Sequence, residues 1–477
     1  MDSMVQELEQ TKKSASSTNF SVKKLIAEKL TQQYPLYSEY LNHQLVNVMK
    51  TLGFNKRYIR ANNQYLYDEE GNQYLDLLSG YGVHILGRNH PTIIHALQEG
   101  LNAELANLVQ FDCPLLAACL AEKLTSFMPE GISKYFFCNS GTEANEGAIK
   151  FARAATGNHK ILYCERAFHG LTTGTLALNG SEMFKRYFEP LLPGTESIPF
   201  NDLSALEQAL KTQKFAAFIL EPIQGKGIYI PDNDYLKNVS QLCQKYKTLL
   251  ILDEVQTGIG RSGKFFAFNH WSEVSPDLIT MAKGLSGGFI PVGVIAMKPW
   301  IFNKTYRNME HSVIHSCTFG RNDLAMIAGL AVLDLLEDGS IISEAAIKAE
   351  RLLEGLQEAL LPFEMVKEVR GKGMMIGIEF GPPSSLTLKA GWKLLETANK
   401  GLFCQLVIIP LFQKHRMLTQ VAGHQSHTIR LLPSLTISDQ DVDDIIKAFK
   451  EVVADAHRFP GAIWNLGKTL ATHSLKG

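Results

Sequence analysis

From about residue 120 to 300 the hydrophobic pattern switches between two periods. Segments with apolar residues three and four apart, LAEKLTSFM, TEANEGAIKFARAAT, LSALEQALK and LKNVSQLCQKYK, take turns with short apolar runs, KYFFCN, KILYCE, FAAFILEP and LLILDE. The first kind predicts helices and the second buried strands. Their alternation predicts a parallel sheet with helices on its faces, a fold whose ligands sit at the carboxyl ends of the strands. Upstream, Leu25, Ile26 and Leu30, then Leu41, Leu45, Val48 and Met49, predict a helical lead-in over 21–57, behind about 20 polar residues expected to be mobile. YLYDEEGNQYLDLLSG (65–80) predicts a hairpin turning at Glu70-Gly71-Asn72, and HPTIIHALQEGLNAEL (90–105) a helix with Pro91 in its first turn. Downstream, 322–339 reads as a helix, EVRGKGMMIGIEF as a glycine-kinked strand pair, and HTIRLLPSLTISDQDVDDIIKAFKEVVADA as a strand with a terminal helix. The expected division is a lead-in (1–57) joining a small domain, a large α/β domain (58–325) and a smaller C-terminal α+β domain (326–477). RFPGAIWNLGKTLATHSLKG after it receives no assignment.

A chain of 477 residues has room for two or three domains and a buried cofactor site. Lys+Arg 47 against Asp+Glu 48 gives a formal charge of -1, so no global field recruits nucleic acid or an anionic membrane. The seven cysteines never form C-x-x-C and mostly sit in apolar company, as buried thiols in a reducing compartment do. The start lacks the apolar core of a signal peptide, and the longest apolar runs are too short to span a bilayer, so a soluble cytoplasmic protein is expected.

Four strand ends carry groups with chemistry. Asn139-Ser140-Gly141-Thr142-Glu143 ends a strand and opens a helix, with Ser140 and Glu143 at capping-box spacing. First-turn N–H groups, the helix dipole and two hydroxyls would face one point and form a phosphate site. Ala167-Phe168-His169-Gly170 follows the next strand and brings an aromatic ring to the same edge. Asp253 ends LLILD, where a carboxylate is costly unless paired, and a pyridinium N–H is such a partner. Lys283 follows DLITMA and precedes a glycine-rich loop, where desolvation favours the free amine needed for imine formation. Taken singly, each has a structural account: a capped helix without ligand, a core phenylalanine, a salt-bridged aspartate, a solvated lysine. Together, at consecutive strand ends, they point to pyridoxal 5'-phosphate (PLP). Gly258-Ile-Gly260-Arg-Ser-Gly263 also satisfies G-x-G-x-x-G, and Gly258 to Lys264 begins like a P-loop. Phe265 stands where a P-loop needs Ser or Thr, and FFAFNHW follows instead of an amphipathic helix, which argues against a nucleotide.

SGYGVHILGRNHP, FFCNSGTEANEGAIK, AFHG, LEPIQGKG, LILDEVQTGIGRSGKFFAF, TMAKGLSGGFIPVG and HSCTFGRNDLA stand in the order and approximate spacing of a known family. From about Tyr58 to Lys450 the chain resembles the class III aminotransferases of PLP fold type I, and its wording is nearest to putrescine and ornithine-type members. The resemblance implies a large domain with a mainly parallel seven-stranded sheet. It implies Lys283 as Schiff-base lysine and proton shuttle, Asp253 as partner of the pyridine nitrogen, and Gln256 near the phenolic oxygen. It further implies Ser140, Gly141 and Thr142 on the phosphate, Phe168 stacked on the ring, and His169, Glu221 and Val255 beside the cofactor. Thr318 would reach the phosphate of a neighbouring subunit, which makes the expected assembly a homodimer with shared sites. Glu221 and Arg430 match a pair in which the arginine binds a substrate carboxylate or is held aside by the glutamate; a structural salt bridge is the plainer account.

The chain departs from the family pattern in three places. Arg321 and Asp323 stand in a Thr-Phe-Gly-Gly-Asn-Pro segment, Tyr81 and His84 occupy the loop that shapes the substrate pocket, and 405–427 is long and rich in histidine. His424 and His427 suggest a metal, but without carboxylate or cysteine neighbours a polar loop accounts for them. The expected activity is transfer of an amino group from an amine or ω-amino acid to a 2-oxo acid, 2-oxoglutarate or pyruvate, in ping-pong half-reactions. An aminomutase, decarboxylase or racemase on the same fold, and a non-catalytic PLP- or partner-binding descendant, remain open at this point.

Overall fold

The computed structural model describes residues 20–398, 400–422, 427–458, 461 and 464. The start expected to be mobile, His424, and all but three residues of the tail from Arg458 lie outside them. By contact the chain divides into a small unit that ends at Ile59 and includes Tyr67–Asn72, and a large unit of Arg60–Leu66 with everything from Gln73.

The small unit is helical, as its apolar spacing predicts: Val22–Lys29, Gln33–Tyr40 and His43–Leu52. Ser21 caps the first helix by accepting from the Lys24 N–H at 3.3 Å, and Asn42 caps the last by accepting from Leu45 at 2.9 Å. Gly53, at φ 74°, ends it in the left-handed conformation that glycine tolerates best.

The large unit is built on a seven-stranded sheet of β1 (Lys134–Cys138), β2 (Lys160–Cys164), β3 (Thr195–Ile198), β4 (Phe215–Leu220), β5 (Leu249–Asp253), β6 (Leu278–Met281) and β7 (Gly293–Met297), in spatial order β1-β7-β6-β5-β4-β2-β3. Only β7 runs against its neighbours, with Gly293 opposite Cys138 and Val294 opposite Met281. Every residue of β4 and β5 is buried, the reason these segments read as unbroken apolar runs: both faces are covered. Helix α1 (Gly141–Thr156) lies on the sheet through Ala144, Ala148, Phe151 and Ala152. At Gly147 a Cβ would stand 2.4 Å from Ile295 Cδ1, so the helix reaches this depth only without a side chain there.

Helix α2 (Asp323–Leu336) packs on the helices Pro91–Asn102 and Leu115–Thr125. A division at 325 therefore cuts a helix that belongs with the residues before it, and the sequence-based boundary is misplaced. Its apolar residues recur on nearly every side, so periodicity alone did not say which neighbour it joins. Beyond it come α3 (Ser340–Leu360) and an antiparallel sheet of β8 (Val366–Gly371), β9 (Ile376–Phe380), β10 (Gln420–Ala422) and β11 (Thr428–Leu431), in order β8-β9-β11-β10. The histidine-rich run starts inside the buried helix α4 (Leu402–His415), with Pro410 inside it, and continues into β10; of the two histidines assigned to a polar loop, His424 lies outside the described residues. The terminal helix α5 (Asp439–Ala456) opens on a capping box of Ser438 and Asp441 and packs on α3 and α4. Among the described residues no single helix is long and apolar enough to cross a membrane.

Candidate active site

The carboxyl ends of β1, β2, β4, β5 and β6 converge on a cavity of about 840 Å³. The segment after β1 brings Ser140, Gly141 and Thr142, and that after β2 brings Phe168 and His169. Strand β4 is followed by Glu221, β5 ends in Asp253 with Val255 and Gln256 behind it, and β6 leads to Lys283. Tyr81, and Arg430 from β11, complete the lining among the expected residues. Thr318 is exposed and is not part of it.

Ser140 caps α1 by accepting from the Glu143 N–H at 3.2 Å. The return bond of the expected capping box is displaced by one residue, since the Glu143 carboxylate accepts from the Asn139 N–H at 2.6 Å. The turn thus presents the open end of a 16-residue helix, where unpaired N–H groups and the dipole favour an anion. The Thr142 hydroxyl is engaged by those of Thr172 and Thr175, at 2.8 and 2.7 Å. At Gly170, φ 132°, a Cβ would meet Thr142 Oγ1 at 2.2 Å, so glycine keeps this cluster in place.

Asp253 is buried and held from three sides. Its Oδ2 accepts from His169 Nδ1 and Asn145 Nδ2, both at 2.8 Å, and its Oδ1 accepts from the Val255 N–H at 3.0 Å. Asn145 was missing from the sequence-based site. Besides Asp253, its amide donates to the His169 carbonyl at 2.8 Å, and its Oδ1 accepts from the Thr280 hydroxyl at 2.7 Å. The only hint in the sequence is a polar residue on the apolar face of TEANEGAIKFARAAT, one turn from the cap.

Lys283 sits at φ 44°, a left-handed conformation costly for a residue with a side chain, and among the described residues its amine has no hydrogen bond or ion pair. Burial lowers its pKa, against the opposing charges of Asp253 and Glu221. Burial raises the Glu221 carboxyl to about 7, although His169 and the N–H groups of Gly225 (2.9 Å) and Phe168 (3.0 Å) favour its ionised form. Glu221 and Arg430 make no direct ion pair. Gly225 stands between them, its N–H on Glu221 and its carbonyl accepting from Arg430 Nη1 at 2.8 Å. The Arg430 guanidinium lies 5.4 Å from the centre of the Tyr81 ring, and burial lowers its pKa. Gln256 donates to the Tyr81 carbonyl at 3.0 Å.

The glycine-rich loop after β5 serves folding. Arg261, wholly buried, donates through Nη1 to the carbonyls of Pro433 and Met374, and a short 3₁₀ turn, Ala267–His270, follows in place of a helix. Among the described residues no three His, Cys, Asp or Glu side chains are grouped to hold a metal, and His427 Nε2 is bonded to Glu396 at 2.6 Å.

Residues 50–453 match the family model described as Aminotransferase class-III. The chain belongs to the class III aminotransferases. It is 33% identical over 455 residues to Aminotransferase PigE of Serratia sp. (strain ATCC 39006), covering 89% of this chain and 53% of that one, so it spans about half the length of that relative. To the acetylornithine aminotransferase of Bacillus anthracis it is 37% identical over 401 residues, covering 83% and 94%. The solved ornithine aminotransferase from Toxoplasma gondii ME49 superposes with a TM-score of 0.74 at 26% identity, covering 83% of this chain and 90% of that one. The enzyme is therefore PLP-dependent and has the fold type I architecture expected from its sequence.

The residues present fit PLP. The cavity holds an unpartnered amine of lowered pKa, an anchored carboxylate, an aromatic ring and a helix N-terminus, and Gln256 Oε1 is buried there without a hydrogen-bond partner.

Proposed function

We propose that this aminotransferase moves an amino group from an amine or ω-amino acid to a 2-oxo acid, 2-oxoglutarate or pyruvate, in two half-reactions at one site. The observation that carries this reading is the Lys283 amine, unpartnered and of lowered pKa, in the same cavity as the triply anchored Asp253. PLP, when bound, supplies a carbonyl for imine formation and an electron sink.

The chain's own groups do the rest. Asp253, fixed by His169, Asn145 and the Val255 N–H, would pair with the pyridine nitrogen of the cofactor. Lys283 Nζ, whose pKa burial lowers, takes a proton from the donor carbon and would deliver it to the cofactor's C4′ carbon. Ser140, Gly141 and Thr142 bind the phosphate at the start of α1, and Phe168, with His169 behind it, closes one side of the cavity to water. Val255 packs at Gly141, where a Cβ would come within 2.6 Å of its Cγ1, and Gln256 orients the ring. Arg430, with Tyr81 over it, receives a substrate carboxylate, and Glu221 adjusts the charge beside it.

The strands before about 325 supply the cofactor side, and the section after them supplies Arg430 to the substrate side. The enzyme works as a homodimer, with Thr318 completing the phosphate site of its partner; its exposure supports this. All described cysteines are free, which fits a reducing cytoplasm. Lys283→Ala tests the reading: turnover with every donor falls to background while PLP still binds non-covalently. A variant that still transaminates would overturn it, and a reaction that needs no 2-oxo acid acceptor would indicate a mutase or decarboxylase. Sedimentation as a monomer at micromolar concentration would remove the role given to Thr318.

A further inference from the structure

We propose that Lys226 is a second anion-binding residue of the substrate pocket, paired with Arg430, and that the two together select a substrate with carboxylates at both ends. The inference rests on the aminotransferase reading and names the substrate class of that site.

It comes from the ionisable groups lining the cavity. Two are carboxyl groups, and both are already satisfied by the protein: Asp253 by three donors and Glu221 by two backbone N–H groups. Three are cations. Lys283 is committed to the reaction, which leaves Lys226 and Arg430. Arg430 spends Nη1 on the Gly225 carbonyl and has its buried Nε without a partner. Lys226, the next residue in the chain, has no ion pair or hydrogen bond among the described residues; its ammonium stands 4.4 Å from the centre of the Phe184 ring. Arg430, from β11, is bonded to this turn at Gly225, and Lys226 follows Gly225 in it, so the two cations line the same cavity. Burial lowers the pKa of Lys226, and the charge of Arg430 lowers it further. Two like charges in a partly dry pocket repel unless an anion joins them. One carboxylate satisfies Arg430 and a second satisfies Lys226, whereas a monocarboxylate leaves one cation unmet. An unsubstituted diamine would bring two more positive charges against them. The class selected is a 2-oxo dicarboxylic acid and the amino acid derived from it.

Glutarate and butyrate are unreactive probes of this class, with two carboxylates and one. Titrated calorimetrically into the holoenzyme, glutarate should bind more tightly than butyrate. In Lys226→Met its dissociation constant should rise about tenfold, the loss of one charge-assisted contact, and the preference over butyrate should fall by the same factor. Lys226→Arg should keep most of the preference. The kcat/KM ratio of 2-oxoglutarate to pyruvate should fall in parallel in Lys226→Met. Equal weakening of both acids, no change, or a wild type that does not prefer glutarate overturns the proposal. A wild type that binds glutarate in this way but transaminates no amine with any acceptor would count against the aminotransferase reading, not against Lys226.

Discussion

Replacing Asn145 with leucine, a side chain of similar size, tests whether the polar network under Asp253 holds the site. The substitution removes three hydrogen bonds at once: to the Asp253 carboxylate (2.8 Å), to the His169 carbonyl (2.8 Å) and from the Thr280 hydroxyl (2.7 Å). The bond to the carboxylate is worth roughly 1.5–3 kcal/mol and each neutral one about 1 kcal/mol, so the loss is roughly 3.5–5 kcal/mol. Asp253, His169 and Thr280 are all buried, so water cannot replace the lost partner without opening the core. Thr280→Val breaks only the third bond and should cost about 1 kcal/mol. Because that hydroxyl is already orphaned in Asn145→Leu, the double variant should cost less than the sum. Urea unfolding followed by fluorescence of the four tryptophans gives these differences, provided every protein is compared at one saturating PLP concentration, since a ligand of the native state adds stability. An Asn145→Leu protein within about 1 kcal/mol of wild type would refute the reasoning, because a buried carboxylate cannot lose a donor at so small a cost.

Glu221, raised to about 7 in the folded protein, holds its proton more tightly than it would unfolded, so its contribution to stability is present in full below about 4.5 and is lost as pH rises through about 7. The cost above neutrality is about 3 kcal/mol, and Glu221→Gln should flatten this part of the stability curve between pH 5 and 9; an unchanged slope would contradict the assignment. Gly225→Ala would place a Cβ 2.0 Å from Gln256 Oε1, so Gln256 must leave its bond to the Tyr81 carbonyl. The expected result is a KM several-fold higher with an unchanged circular dichroism spectrum. Gly170→Ala combines a left-handed backbone with a contact of 2.2 Å to Thr142 Oγ1, and should weaken PLP binding about tenfold or more in an equilibrium titration.

Most of the groups that line the cavity were legible because each sits where an apolar run ends. Asp253 after LLIL and Lys283 after LITMA are marked by the change from buried strand to loop, which sequence periodicity detects. Asn145 was not, because a polar residue inside a helix looks the same whether it faces water or a carboxylate on another strand. Contact between α1 and β5 joins residues 108 positions apart, and spacing along the chain carries no trace of it. Lys226 was hidden for the same reason: its motif was recognised, but not which cavity its side chain enters. The Glu221 and Arg430 pair was legible as two residues of one pocket, while the Gly225 link between them needed the fold of the turn. The misplaced division at 325 and the helix hidden in 405–415 share one cause, since a uniformly apolar helix has no polar face to mark its edges.

Arg430 stands on β11 and Gln420, Val421 and Ala422 form β10, in a different sheet from the strands that end in Asp253 and Lys283. One wall of the cavity is therefore encoded apart from the strands that end in Asp253 and Lys283. Changes at 420–422 and 430 can reshape that wall while those strands keep their sequence, whereas Tyr81, Glu221 and Lys226 bring the rest of the lining from before it.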